Sequence, residues 1–379
     1  MDYPYLVFYL LLILLAFLYW RTGQVIYSKG AFVVAFVFFA FRAPVVGADT
    51  WNYVRYLTGE RNFYNDDTRP LEPLFVLYRD IMCQITNSRF VIMLVNTIIT
   101  FAPLYYITKK YSYNPPLTIL LFYILESLLV YFVGLRQVMA LSALYVGLIY
   151  CLEVRGKIVM KVVMIICFAI IAYLLHTSAV IYAIIIFLSL IPLKLNRSFC
   201  VALIVGSSIF GIVLEKFNVL ETFSLLLEIS FSSVERLNGY LMDEIKETEN
   251  VVILLRLSSV ALISYLFMDK DKLSHPFSKI FLIVVVIYNL FYSVPMIHRI
   301  CNPLYFFGAV CFTWIKGKNY YLRPKQKRAI NIILFLLIIY YTRSQVINLW
   351  HVDLNSDGRM NPYYFIFQDY SNHPSIKKF

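Results

Sequence analysis

Gly47-Ala48-Asp49-Thr50-Trp51-Asn52-Tyr53-Val54-Arg55-Tyr56 stands where a third apolar span is due. The apolar run before it ends near Val46, and polar sequence continues after it through Glu72-Pro73 to Arg89. This stretch carries Arg55, Arg61, Arg69, Arg79 and Arg89 and no lysine, with Asp49, Glu60, Asp66, Asp67, Glu72 and Asp80 among them. The rest of the chain is mostly apolar. Carboxylates and guanidinium groups gathered at a membrane surface make a candidate site for anionic or sugar chemistry.

Composition sets the class. The chain has 379 residues, 60% of them hydrophobic, and only 15% are charged, against about 25% in a soluble domain. We read an all-α polytopic membrane protein forming a single integral membrane domain over 1–379. The first apolar run has no basic n-region and no small-residue cleavage site, so it reads as a retained span. Hydropathy suggests about twelve transmembrane helices, near 4–20, 30–46, 90–108, 115–133, 138–152, 162–175, 177–192, 199–214, 251–268, 280–296, 300–315 and 329–342. The six cysteines are scattered, lack metal-ligand spacing and read as small buried hydrophobes.

Charge orients the spans. Alternate connectors hold 18 of the 34 Lys and Arg against Glu153, Asp269 and Asp271, a net of +15, whereas the remainder nets −3. The positive-inside rule puts the basic connectors in the cytoplasm and both termini outside. Outer loops then cover approximately 47–89 and 215–250, with a C-terminal tail over 343–379. A nucleic-acid partner is excluded, because the positive charge is dispersed over six short loops. Asn196-Arg197-Ser198 matches a glycosylation acceptor but lies on the basic side. The segment 71–87 is amphipathic and reads as a surface or re-entrant helix.

This topology brings cationic residues from separate parts of the chain to one depth near the outer leaflet: Arg42, Arg136-Gln137 after Gly134, Arg256, and His298-Arg299. A charge there must face a cavity or a partner, and guanidinium suits phosphate oxygens. The set reads as a site for a lipid-linked phosphate or pyrophosphate, with snorkelling or ion pairing as the bland alternative for each arginine alone. Glu126, mid-span, reads first as a structural hydrogen-bonding group. If one continuous helix carried both, it would lie about 15 Å deeper than Arg136. Candidate bases are Asp49, Glu72 and His176, the last in the tight link His176-Thr177-Ser178. Each has a structural alternative: a helix cap for Asp49, a helix N-terminal charge for Glu72, a turn histidine for His176. Trp51, Tyr53 and Tyr56 suit sugar stacking or an interfacial belt, and Arg55 lies among them. No P-loop, dinucleotide-binding glycine pattern, metalloprotease pair or metal-specifying carboxylate spacing is present.

Gly47-x-Asp49-x-x-x-Tyr53-x-x-Tyr56, Glu72-Pro73-Leu74-Phe75, Gly134-Leu135-Arg136-Gln137, His176-Thr177-Ser178-Ala179, and Arg299 before Asn302-Pro303-Leu304-Tyr305 occur in that order. Together they resemble the EpsG-type Wzy family of polysaccharide repeat-unit polymerases. The resemblance runs from about residue 40 to 310 and extends arguably to Asn361-Pro362-Tyr363-Tyr364. It implies a multi-pass enzyme of the bacterial inner membrane with a GT-C-like glycosyltransferase architecture and a periplasmic active face. Its substrates would be undecaprenyl-pyrophosphate-linked oligosaccharides within membrane lipid, its product O-antigen, capsule or exopolysaccharide. The resemblance implies no cofactor and no metal, and a chain-length-regulator protein is a conceivable partner. On this reading Arg136, Arg256 and Arg299 hold pyrophosphate, assisted by Gln137, His298, Arg42, Arg55, Tyr53 and Tyr56. Asp49 is the preferred base, with His176 or Glu72 as the alternative. The rival classes are a lipid-linked oligosaccharide flippase, an O-antigen ligase and a membrane acyltransferase.

Overall fold

Gly, Pro and Asn cut the apolar runs into helices. Gly23 takes φ 67°, a left-handed turn that glycine adopts without a Cβ penalty. It separates α1 (Tyr3–Thr22) from α2 (Val25–Ala40). The computed structural model describes residues 3–47, 49–60, 71–127, 131, 134–154, 158–217, 247–293, 297, 300–315 and 363–369, with backbone alone for 3, 126, 127, 247–253, 255 and 256. There follow α3 (Thr50–Leu57), α4 (Pro73–Ile85), α5 (Arg89–Tyr111) and α6 (Pro115–Phe122). Next come α7 (Leu135–Glu153), α8 (Ile158–Leu175), α9 (Ala179–Leu190) and α10 (Arg197–Lys216). Then come α11 (Glu247–Phe267), α12 (Lys270–Leu273), α13 (Pro276–Phe291) and α14 (Tyr305–Thr313). Side-chain caps start several of them. Ser88, Asn114 and Asn196 accept from the backbone N–H groups of Val91, Leu117 and Phe199, satisfying donors that the first turn leaves open. Asn196, the glycosylation-pattern residue, is therefore a helix cap.

Among the described residues, five helices are long and apolar enough to cross a membrane: Pro4–Thr22, Arg89–Tyr111, Leu135–Glu153, Ile158–Leu175 and Arg197–Lys216. Shorter apolar helices accompany them. The chain is thus an all-helical, multi-pass membrane protein. Several expected spans end early for identifiable reasons. The run 30–46 is helical only to Ala40, since Pro44 lacks the N–H that a continuing helix needs; 41–47 turns while staying largely buried. The run 115–133 gives way to a π-turn at Tyr123–Ser127, and Gly134 caps α7. Glu126 and Arg136 consequently do not share one continuous α-helix. The run 300–315 is interrupted by a 3₁₀ turn at Asn302–Leu304 around Pro303. The expected span 329–342 lies outside the described residues, as do most of 215–250 and 343–379.

The chain divides into two compact units, Met1–Ala183 with Tyr320–Phe379, and Ile184–Asn319. In the first, α1 packs on α2 and α6, α5 on α2 and α7, α7 on α8, and α4 on α3 and α8. A Cβ at Gly147 would meet the Cβ of Phe168 at 2.9 Å, so the missing side chain is what lets α7 and α8 approach. An aromatic core fills the rest: Phe8 stacks on Phe38 at 4.1 Å, and Tyr363 on the same ring at 4.7 Å. The segment around Tyr363 is pinned by backbone. Ala43 N–H donates to Tyr364, and Ile366 N–H to Phe41, each at 2.8 Å.

In the second unit α10, α11 and α13 share a buried polar junction. The Asn289 amide donates to Ser207, Ser208 and the Ile204 carbonyl, and its oxygen accepts from Ser258 at 2.9 Å. Gly211 lies beneath the Asn289 carbonyl, which occupies the place of a Cβ. Basic connectors gather within each unit. Lys110 at the end of α5 pairs with Glu153 at the end of α7, 2.6 Å apart. In the second unit Arg197 donates to the carbonyls of Tyr265 and Met268, and Lys279 to that of Ile191.

Candidate active site

Four of the quoted motifs converge at the end of α7 opposite the Lys110–Glu153 pair. Gly47 takes φ 108° and turns the chain into α3, whose apolar face buries Tyr53 and Tyr56. Pro73 at the first position of α4 fixes that helix start and sets Phe75 in its first turn, with none of its surface exposed. Phe75 is the apolar hub. Tyr56 stacks on it at 5.8 Å and Tyr53 meets it edge-on at 6.0 Å. The Arg136 guanidinium lies over both the Tyr53 and Phe75 rings, 5.6 and 5.7 Å from their centroids.

Arg136 sits in the first turn of α7, where the helix dipole disfavours a cation. Glu72 answers it. One Glu72 oxygen accepts from Arg136 Nη1 at 2.5 Å, and the other accepts the backbone N–H of Thr177 at 3.4 Å. Arg136 Nε donates to the Tyr53 hydroxyl at 3.3 Å; Nη2 has no partner among the described residues. Arg136 and Glu72 side chains are 17% and 13% exposed, so the pair is shielded enough to matter and open enough to be reached. Glu72 precedes α4 yet its side chain caps nothing there; it links α4, α7 and the α8–α9 connection.

His176 occupies that connection. Its Nδ1 accepts the Ser178 backbone N–H at 3.1 Å and lies 2.8 Å from the Ser178 hydroxyl. Burial lowers its pKa to about 4, Glu72 pulls it back up, and Arg136 pushes it down. Gln137 donates to the buried Tyr182 hydroxyl of α9. Tyr182 belongs to no motif, and nothing in its apolar surroundings marks it in sequence. Thr177 acts through its backbone, which side-chain chemistry does not reveal.

The remaining candidates are placed differently. Asp49 is exposed at the start of α3, with no side-chain bond to that helix's N–H groups. Tyr53 and Tyr56, expected as sugar-stacking rings, are buried against Phe75 and the two arginines 136 and 79. Arg55 and Arg89 share Glu60, at 3.8 and 2.9 Å, over the Trp51 ring. Arg42 is 5% exposed. It packs over Phe39, donates to the Tyr131 carbonyl at 3.5 Å and bridges backbone to Phe365. Arg256 lies on α11 in the second unit, with its side chain outside the described residues; His298 and Arg299 lie outside them altogether. Among the described residues no set of three His, Cys, Asp or Glu side chains is placed to ligate a metal.

The fold and site define a multi-pass helical membrane protein with a shielded arginine–carboxylate pair at one end of its first unit. A family model matches residues 25–365, and the chain belongs to the EpsG family, a Wzy-like polymerase family. Searches of curated proteins and of solved structures find no match.

Proposed function

We propose that this protein joins lipid-linked oligosaccharide repeat units. A hydroxyl on the acceptor unit attacks the anomeric carbon of the growing glycan, and the bond from that carbon to undecaprenyl pyrophosphate breaks. The hydroxyl proton passes to a carboxylate, and the lipid pyrophosphate leaves with the bonding electrons. The reaction belongs at the periplasmic face of a bacterial inner membrane, the face that the positive-inside rule assigns to the loops bearing Asp49, Glu72, Arg136 and His176.

One observation supports this reading: Glu72 accepts from both the Arg136 guanidinium and the Thr177 backbone N–H, so three separate motifs meet at one carboxylate. Arg136 keeps Nη2 for a phosphoryl oxygen, and a guanidinium beside a helix N-terminus suits an anion. Glu72 is committed to Arg136, so it positions the arginine, and its oxygens are poorly placed to take a proton. Asp49, exposed at the mouth of α3, is our preferred base.

Deleting the gene and resolving the surface glycan by size tests the class. Single repeat units on the acceptor are expected. Full-length lipid-linked polymer left unattached would indicate a ligase, and loss of all outer-face repeat units a flippase. With the purified protein, wild-type polymer from Arg136→Ala at normal protein level would sink the phosphate assignment.

A further inference from the structure

The base candidate His176 is held in a form that cannot easily serve as one. A neutral imidazole has one donor and one acceptor nitrogen. The Ser178 backbone N–H can only donate, and it points at Nδ1 from 3.1 Å. The acceptor is therefore Nδ1, and the ring proton resides on Nε2. Protonating Nδ1 would set two N–H groups against each other. Nε2 has no partner among the described residues, although the ring is mostly buried. The Ser178 hydroxyl, 2.8 Å from the same nitrogen, can donate to it as well, and Thr177's N–H goes to Glu72.

We propose that His176 is a neutral hydrogen-bond donor to a phosphoryl oxygen of the lipid pyrophosphate, its tautomer fixed by Ser178. This rests on the polymerase reading and assigns the histidine the leaving group. Arg136 and Glu72 cancel in charge, so a bound phosphate gains there from aimed N–H groups more than from net positive charge. Nε2–H of His176 and Nη2–H of Arg136 have no partner among the described residues. Donors in place before charge develops on the departing oxygen stabilise the transition state without reorganising. Ser178 is a positioning residue, since it acts only through the ring.

The full chain, labelled with ¹⁵N in its imidazole rings and held in lipid nanodiscs, tests this directly. The spectrum of His176→Gln identifies the His176 signals among those of the five histidines. We expect Nε2 protonated and Nδ1 unprotonated at neutral pH, and a shift of the Nε2–H signal when undecaprenyl pyrophosphate is added. A protonated Nδ1, or an Nε2 signal indifferent to the probe, overturns the assignment. In polymerisation assays Gln keeps an N–H near the Nε2 position, whereas Asn offers one near Nδ1. Transfer by His176→Gln should stay within about tenfold of wild type, while His176→Asn and His176→Ala lose about 10²-fold. An Asn variant as active as Gln would overturn the donor role. A wild-type chain that joins no repeat units but shows the probe-dependent shift sinks the polymerase reading and supports the donor.

Discussion

At the residue scale, Asp49, the preferred base, and its alternatives Glu72 and His176 stand in different surroundings. A base needs an unoccupied lone pair on an ionised or neutral group. Glu72 is ion-paired to Arg136 and holds the Thr177 N–H, which makes it a positioning group, and His176 has its acceptor nitrogen filled. On the proposed assignment, Asp49→Asn should lower transfer by about 10²–10⁴-fold with protein level unchanged; normal polymer from that variant would remove Asp49 from the mechanism. Arg136→Lys keeps charge and loses the fork that serves Glu72 and Tyr53 together. It should impair transfer nearly as much as Arg136→Ala, which a side-by-side assay with lipid-linked repeat units would show. His176 also makes a pH prediction. Its folded pKa of about 4 lies below the ordinary 6.5, so the unfolded chain takes up the proton first as pH falls. Its stabilisation is full above 6.5 and disappears as pH drops through 4. Wild type should lose about 2 kcal/mol more than His176→Gln between pH 7 and pH 4.5, read by thermal unfolding in detergent. The identities of these residues were legible in the motifs, but their roles were not, because a role depends on which lone pairs neighbours already hold.

At the element scale, helix starts and stops follow local chemistry closely. Pro73, Pro115 and Pro276 open helices, and Ser88, Asn114 and Asn196 cap them. Sequence periodicity foresaw the amphipathic helix within 71–87, because Phe75 and Met82 fall on its buried face. It overran at Ala40, where apolar composition continues after the α-helix stops, and at Tyr123–Ser127, where the α-helix gives way to a π-turn. Hydropathy measures what lipid tolerates, not how the backbone is bonded. Close helix crossings are equally invisible to it. Gly211→Ala places a methyl against the Asn289 carbonyl and should destabilise by about 1–3 kcal/mol. Asn289→Leu leaves three serines without their shared amide and should cost a similar amount. Unfolding in detergent would measure both, and an unchanged midpoint for Gly211→Ala would mean that the α10–α13 crossing relaxes freely.

For the whole molecule, the orientation prediction follows from charge. Reactive single cysteines at Lys325 and Asp243, on a background lacking native cysteines, should show position 243 open to an impermeant reagent in intact spheroplasts and 325 protected. The reverse pattern would invert the proposed active face. Within the first unit, the Lys110–Glu153 pair and the Glu72–Arg136 pair sit at opposite ends of α7, as the alternation of basic and mixed connectors requires. By itself the sequence determined that the chain is a helical membrane protein, where its basic connectors fall, and which short motifs carry reactive groups. These follow from transfer free energies and local capping, which neighbouring residues settle among themselves. Only the tertiary structure decided that Arg42 packs inside the first unit and that Tyr363 belongs to an aromatic core. It also decided that Glu72, Arg136 and Thr177 meet although 64 and 105 residues separate Glu72 from the others. The physical reason is that a shielded ion pair is worth holding only when burial and geometry come together, and both are properties of packed helices, not of the segments that supply the charges.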